Sequence, residues 1–216
     1  MKLKYLFLFV SLLCGLLMNA QVRAAVSGKS GDLTSVNLTI NGFIITLDAQ
    51  GTITDFHVPD QNGKIDYYDE PYFNPYRNGK IKSIGNTGID YWDDMNVNSE
   101  KYGKLKSIGD IKIEYWDDPV FNKEKFGKVK KIGTYAIDYW PDDIIDNSRY
   151  GKLKSIGDIS IDYGLKDIID DSRYQKLIKF GPVRLEYWND QFIQKSKYGR
   201  LKSITGNSDE VSVSVL

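Results

Sequence analysis

The stretch from Tyr102 to Trp116, "YGKLKSIGDIKIEYW", decides the fold. Its two halves, "KLKSI" and "IKIEYW", alternate apolar with polar residues and are rich in β-formers. The Gly109-Asp110 dipeptide between them is a turn signal. The first ten letters return unchanged at Tyr150 to Ile159. The stretch is therefore a β-hairpin written more than once.

Gly-Lys recurs at Gly79-Lys80, Gly103-Lys104, Gly127-Lys128 and Gly151-Lys152, with variants at Gln175-Lys176 and Gly199-Arg200. A second marker keeps the same 24-residue step: Ile89-Asp90-Tyr91-Trp92, Ile113-Glu114-Tyr115-Trp116, Ile137-Asp138-Tyr139-Trp140, Ile161-Asp162-Tyr163 and Leu185-Glu186-Tyr187-Trp188. Ile65-Asp66-Tyr67-Tyr68 extends it backwards. A fixed period of this size marks an array of supersecondary units.

Strict alternation sets the expected register. A two-residue loop at Gly109-Asp110 would oppose Leu105 to Glu114. A three-residue loop, Ile108 to Asp110, opposes Leu105 to Ile113 and Lys104 to Glu114 and is preferred. The same choice pairs Lys80 with Asp90, Lys128 with Asp138, Lys152 with Asp162 and Lys176 with Glu186. Leu105, Ile111, Ile113 and Tyr115 then share an inner face, with the ring of Tyr115 over Gly103. Lys104, Lys106, Lys112 and Glu114 share a wet face carrying a ladder of alternating charge.

The joining segments, such as "DDPVFNKEKF" and "PDDIIDNSRY", open with an acid and close with a base, an aromatic residue and usually glycine. They read as one- to two-turn helices, or loops imitating them. "VNLTINGFIITLDAQG" is a separate hairpin turning at Asn41-Gly42. Gly51 to Phe56 reads as a degenerate first strand, and "VSVSVL" as a final strand. The expected fold is all-β: an antiparallel meander of about seven hairpin repeats forming a flattened barrel, a sandwich or a rolled sheet. About sixteen strands would leave a wide lumen that an aliphatic face cannot line with water. An outer face of Lys and Asp/Glu does not suit lipid.

Residues 1–24 read as a signal peptide. Lys2 and Lys4 precede an apolar run from Leu6 to Met18, and cleavage falls after Ala24, with Ala20 as the alternative. The remaining chain, 25–216, is one repeat domain: 25–78 an N-terminal cap and degenerate repeat, 79–204 the regular repeats, and 205–216 a capping strand. Cys14, the only cysteine, leaves with the leader. The protein is expected to be exported, periplasmic or extracellular, and to contain no membrane span. Lys and Arg number 29 against 29 Asp and Glu, so the basic surplus of a nucleic-acid binder is missing.

The candidate ligand-binding residues are aromatic: Trp92, Tyr102, Trp116, Phe126, Trp140, Tyr150, Tyr174 and Trp188. The expected register places Tyr102 opposite Trp116, Phe126 opposite Trp140 and Tyr174 opposite Trp188, in one row on the outer face. Such a row suits sugar rings, so a glycan or another cell-envelope component is the candidate partner. The opposing expectation is that the apolar pairs Val120-Phe121, Ile144-Ile145, Ile168-Ile169 and Phe192-Ile193 fold back over the row, because large exposed apolar patches are rare. "PDQNGKIDYYDE", Pro59 to Glu70, shares letters with a calcium loop. It lacks an acid at Val58, and a turn at Asn62-Gly63 explains the same letters. No cofactor, metal or catalytic residue is assigned: His57 is the single histidine, and the regular carboxylates pair with Lys. The leading expectation is a non-enzymatic exported protein with a structural or adhesive role. Alternatives are a glycan-binding module and a binder of an apolar small molecule inside the sheet.

"YGRLKSITG" at Tyr198 to Gly206 and "NGKID" at Asn62 to Asp66 resemble YD-repeat (RHS-type) units, through an aromatic, a Gly-Arg or Gly-Lys and an alternating strand. The whole pattern also resembles exported bacterial β-hairpin-repeat proteins. Both resemblances imply a hairpin array on an exported protein, and neither carries over an active residue.

Overall fold

The computed structural model describes residues 21–57, 63–94 and 99–216. The segments 1–20, 58–62 and 95–98 lie outside the described residues, and so do the signal peptide before Gln21 and the first four residues of the calcium-like segment. The described residues are all-β, in two sheets with no closed barrel. β1 (Gln21–Val26), β2 (Leu33–Ile40), β3 (Phe43–Leu47), β4 (Ile53–His57) and the last strand form a five-stranded sheet. The other sheet has twelve strands in plain chain order: β5 (Ile65–Tyr67), β6 (Ile81–Ile84), β7 (Thr87–Tyr91), β8 (Leu105–Ile108), β9 (Ile111–Tyr115), β10 (Val129–Ile132), β11 (Tyr135–Tyr139), β12 (Leu153–Ile156), β13 (Ile159–Tyr163), β14 (Leu177–Phe180), β15 (Val183–Tyr187) and β16 (Leu201–Thr205). β17 (Val211–Val215) leaves this meander and pairs in parallel with β1.

The expected hairpin register is corrected. Each hairpin closes on a two-residue turn: Ile108 pairs with Ile111 and Ser107 with Lys112, and the same holds for Ile84 with Thr87 and Ile156 with Ile159. Gly85, Gly109, Gly133, Gly157 and Gly181 lead these turns with φ between 54° and 58°, the backbone that a two-residue hairpin turn starting on glycine requires. Alternation misleads because every first strand carries a bulge. Between hairpins Asp90 pairs with Ser107 and Tyr91 with Leu105, leaving Lys106 as an extra residue. Lys82, Lys130, Lys154, Ile178 and Lys202 are extra at the equivalent places. A bulge shifts facing by one residue, so Leu105 and Ile108, three apart, both point inward.

The expected inner face of Leu105, Ile111, Ile113 and Tyr115 is buried, and Ile108, expected in the loop, joins it. Most equivalents in the other units are buried too, while Tyr135 and Ile159 are half-buried. Val22, Leu38, Ile45 and Leu47 of the small sheet join the same core. The core therefore lies between the two sheets.

Both ends of the array differ from the regular units. The β2–β3 hairpin turns at Asn41-Gly42 with φ 50° and 80°. β4, expected as a degenerate first strand, pairs with β3 in the small sheet. β1 includes Gln21 to Ala24, placed in the leader by cleavage after Ala24. Val22, Arg23 and Ala24 pair with Val211, Ser212 and Val213, so a chain beginning at Ala25 would unpair most of β17.

Candidate functional site

The splayed hairpins leave carbonyls that side chains fill. Beyond the turn the strands of each hairpin exchange only two residue pairs before the bulge. The Tyr115 hydroxyl then donates to the Leu105 carbonyl at 3.0 Å, and Tyr91, Tyr139 and Tyr187 repeat the bond to Ile81, Val129 and Leu177. Over each of these rings lies the lysine of the Gly-Lys pair, with Lys104 Nζ 5.4 Å from the Tyr115 ring and Lys128 Nζ 4.8 Å from that of Tyr139. The same ammonium groups donate to the next unit's backbone: Lys104 to Gly127 at 2.7 Å, Lys128 to Gly151, and Lys152 to Gln175 at 3.2 Å.

This ladder replaces the expected Lys80–Asp90, Lys104–Glu114, Lys128–Asp138, Lys152–Asp162 and Lys176–Glu186 pairs. With the two-residue turn and the bulge, these lysines leave the wet face. Burial pushes the Tyr91 hydroxyl up to about 12 and raises Tyr115, Tyr139, Tyr163 and Tyr187 as well. It lowers Lys80, Lys104, Lys128, Lys152 and Lys176.

Loops of the small sheet dock on these rungs. Leu153 N donates to the Ala49 carbonyl and Leu177 N to that of Gly31. The Tyr187 hydroxyl reaches Gly31 O at 3.2 Å. Beside them a cleft of about 350 Å³ opens between Gly51–Phe56 and the Lys104, Tyr115 and Val129 rungs. It is the space between the sheets that an apolar ligand would have to use.

On the opposite face Trp92, Trp116, Trp140 and Trp188 are each half-buried. Each lies beneath two cations. Lys101 and Lys106 approach the Trp92 ring, Lys125 and Lys130 that of Trp116, Arg149 and Lys154 that of Trp140, and Lys197 and Lys202 that of Trp188. In each pair one cation closes a joining segment and the other is the bulge residue. Trp92 Nε1 donates to the Ile113 carbonyl and Trp140 Nε1 to that of Ile161, each in the next hairpin. The wet face carries the ion pairs: Lys106–Asp90 at 3.2 Å, Lys125–Asp138 at 2.7 Å and Arg149–Asp162 at 3.1 Å.

The aromatic partners are reassigned by the corrected register. Trp116 lies beside Gly127 of the following unit, bonded through Gly127 N. Tyr102 meets Tyr76, ring centroids 5.9 Å apart, and Tyr150 is exposed. Phe126 and Tyr174 are half-buried, and Tyr174 bridges to Gly164.

The joining segments do not fold over these tryptophans, contrary to the expected cover. Their described residues form turns rather than helices, two of them containing a single 3-10 turn at Asn147–Arg149 and Lys195–Lys197. Asp118 Oδ1 accepts from the amides of Val120 and Phe121, Asp143 from Ile145, Asp167 from Ile169, and Asp190 from Phe192 and Ile193. These short acid-closed turns point the apolar pair away from the sheet. Ile144 is 104% and Ile145 95% exposed, and Tyr72-Phe73, Val120-Phe121, Ile168-Ile169 and Phe192-Ile193 are also exposed. The long cations closing each segment cover the indoles instead. A groove of about 540 Å³ remains between Trp140, Ile144, Ile145 and Arg149. Sequence periodicity located these pairs, but their outward direction depends on the acid-closed turn. No protein-family model, curated protein or solved structure matches the chain.

Proposed function

We propose that this is an exported, non-catalytic β-repeat protein with a structural or adhesive role, whose contact surface is the row of apolar pairs at the tips of its joining segments. The observation that carries this is a fully exposed Ile144-Ile145 pair, with comparable pairs before and after it at the 24-residue step. Soluble proteins rarely expose contiguous apolar area beyond a few hundred Å² unless it meets something. Neighbouring repeats lie two strand spacings apart, about 10 Å, so the tips form an evenly spaced line. The tips are braced sideways: Lys166 N donates to Asp146, and Asp171 N to the Tyr198 hydroxyl. Among the described residues no helix is long and apolar enough to cross a membrane. Export rests on the leader-like residues before Gln21, and the pairing of β1 favours processing after Ala20.

The test replaces Ile144, Ile145, Ile168 and Ile169 together with Asp. The expected result is an unchanged melting temperature with strongly reduced adsorption to cell-envelope fractions. Unchanged adsorption defeats the proposal.

The groove beside Trp140 favours a second reading, a glycan or cell-wall polymer held along Trp92, Trp116, Trp140 and Trp188. Asp142, Asp143 and Arg149 line this groove and could bind hydroxyls. Pull-down on insoluble polysaccharide that is lost in Trp140→Phe, with folding intact, would support it; retention equal to the parent protein removes it.

A further inference from the structure

The twelve-stranded sheet begins and ends on half a repeat. β5 carries the second-strand letters, Ile65-Asp66-Tyr67-Tyr68, but its first strand is missing, because β4 belongs to the small sheet. β16 carries the first-strand letters, Tyr198-Gly-Arg-Leu-Lys-Ser-Ile204, but no second strand follows, because the chain leaves for β17 and β1. Among the described residues both strands are open edges: β5 pairs only with β6, and β16 only with β15.

We propose that the two half units complete one another between copies of the chain, so that β16 of one protomer pairs with β5 of the next and the meander continues head to tail. This rests on the sheet edges and is independent of the apolar tips. Carrying the hairpin register across the junction places Ile204 opposite Gly63 and Ser203 opposite Lys64, as Ile108 opposes Ile111 and Ser107 opposes Lys112.

Burial at the free edge agrees. Ile65 and Tyr67 are 47% and 55% exposed, whereas Ile89 and Tyr91, one repeat on, are 1% and 7% exposed. A preceding strand is what the later units have and β5 lacks.

The side chains that stitch one unit to the next also stop at this edge. Trp92 and Trp140 reach carbonyls 21 residues on, in the next hairpin. The same step from Trp188 leads past the end of the meander, and in the extended array it falls on the Ile65 carbonyl of the next copy. Lys104 and Lys128 reach glycine carbonyls 23 residues on. From Arg200 that step falls on Gly79 of the next copy. An interface of this head-to-tail kind does not close on itself unless its rotation happens to, so it generates open filaments.

The experiment uses the full chain with Cys14→Ser, Lys64→Cys and Ser203→Cys. These positions lie at opposite ends of a twelve-stranded sheet, roughly 50 Å apart at the usual strand spacing, so no disulfide forms within one copy. Mild oxidation is expected to give a ladder of dimers, trimers and longer species on non-reducing gels, dissolved by reductant. Each single-cysteine chain stops at a dimer. Adding Ile65→Pro, which removes an edge amide facing away from β6, is expected to abolish the ladder at unchanged melting temperature. The Asp replacement of Ile144, Ile145, Ile168 and Ile169 leaves it intact, which separates edge pairing from association through the tips. A chain that stays monomeric with both thiols titratable overturns the inference. So does a ladder that survives Ile65→Pro or disappears in the tip variant.

Discussion

Gly51 and Gly42 have the same backbone conformation, φ 80° in both, and opposite surroundings. A β-carbon on Gly51 would lie 2.1 Å from the Tyr139 hydroxyl, while one on Gly42 would meet nothing within 4 Å. Gly42→Ala should cost only the left-handed strain, about 1 kcal/mol. Gly51→Ala should cost more than about 2 kcal/mol, because Tyr139 is wedged between Gly51 and the Val129 carbonyl and has no room to yield. Urea titration of the two variants checks the difference, and equal losses would mean that the loop does not dock on this rung. The need for glycine in the Asn41-Gly42 turn is legible from the dipeptide. The need at Gly51 comes from a contact across 88 residues, which no local pattern records.

Among elements, the bulge decides which charges meet. Lys106 Nζ approaches Asp90 between hairpins at 3.2 Å, whereas Lys104 turns inward to Gly127. A double-mutant cycle on Lys106 and Asp90 should give a coupling of up to about 1 kcal/mol, the range for partly exposed pairs. The cycle on Lys104 and Glu114 should give none. Reversal of that order would restore the three-residue loop. Trp140 joins one hairpin to the next through its indole N–H, and Arg149 and Lys154 pack over its ring. Trp140→Ala should therefore cost about 3 kcal/mol in thermal melts. Trp140→Phe should cost about 1 kcal/mol, mainly the orphaned Ile161 carbonyl. An alanine variant that melts with the parent protein would make the indole a free platform rather than a clamp.

At the scale of the whole molecule the lysine–tyrosine ladder sets the response to alkali. Burial holds the rung tyrosines protonated beyond their ordinary value, Tyr91 up to about 12. A group whose folded pKa is raised contributes stability that is complete below its unfolded value, near 10, and lost as pH climbs through the folded one. The buried lysines act oppositely. Their folded pKa values are lowered, so deprotonation relieves a burial cost as pH rises toward about 10.4. Stability should therefore hold up to about pH 10 and fall steeply between there and about 12. Phenolate absorbance should rise with the loss of β-sheet signal. Phenolates that titrate near 10 in a still-folded chain would show that the rungs are open to water.

The sequence by itself determined the repeat, the strand pairs, the inner aliphatic face and the Asn41-Gly42 turn. These are local or periodic, and one period written several times leaves little room for another arrangement. It also marked the aromatic row and the apolar pairs as residues needing a place. The bulge at Lys106 and its equivalents was not legible, because an extra residue in a four-residue strand looks the same as one more alternation until its partner strand is beside it. That one residue moved Lys104 from the wet face to the ladder and sent the Trp92 and Trp140 indoles to the following hairpin. The recruitment of β4 and β17 into a second sheet with β1 was likewise decided by tertiary structure. The inner face of a one-layer meander is apolar and must be covered, and which segments of the chain cover it is settled only when the whole array is in place.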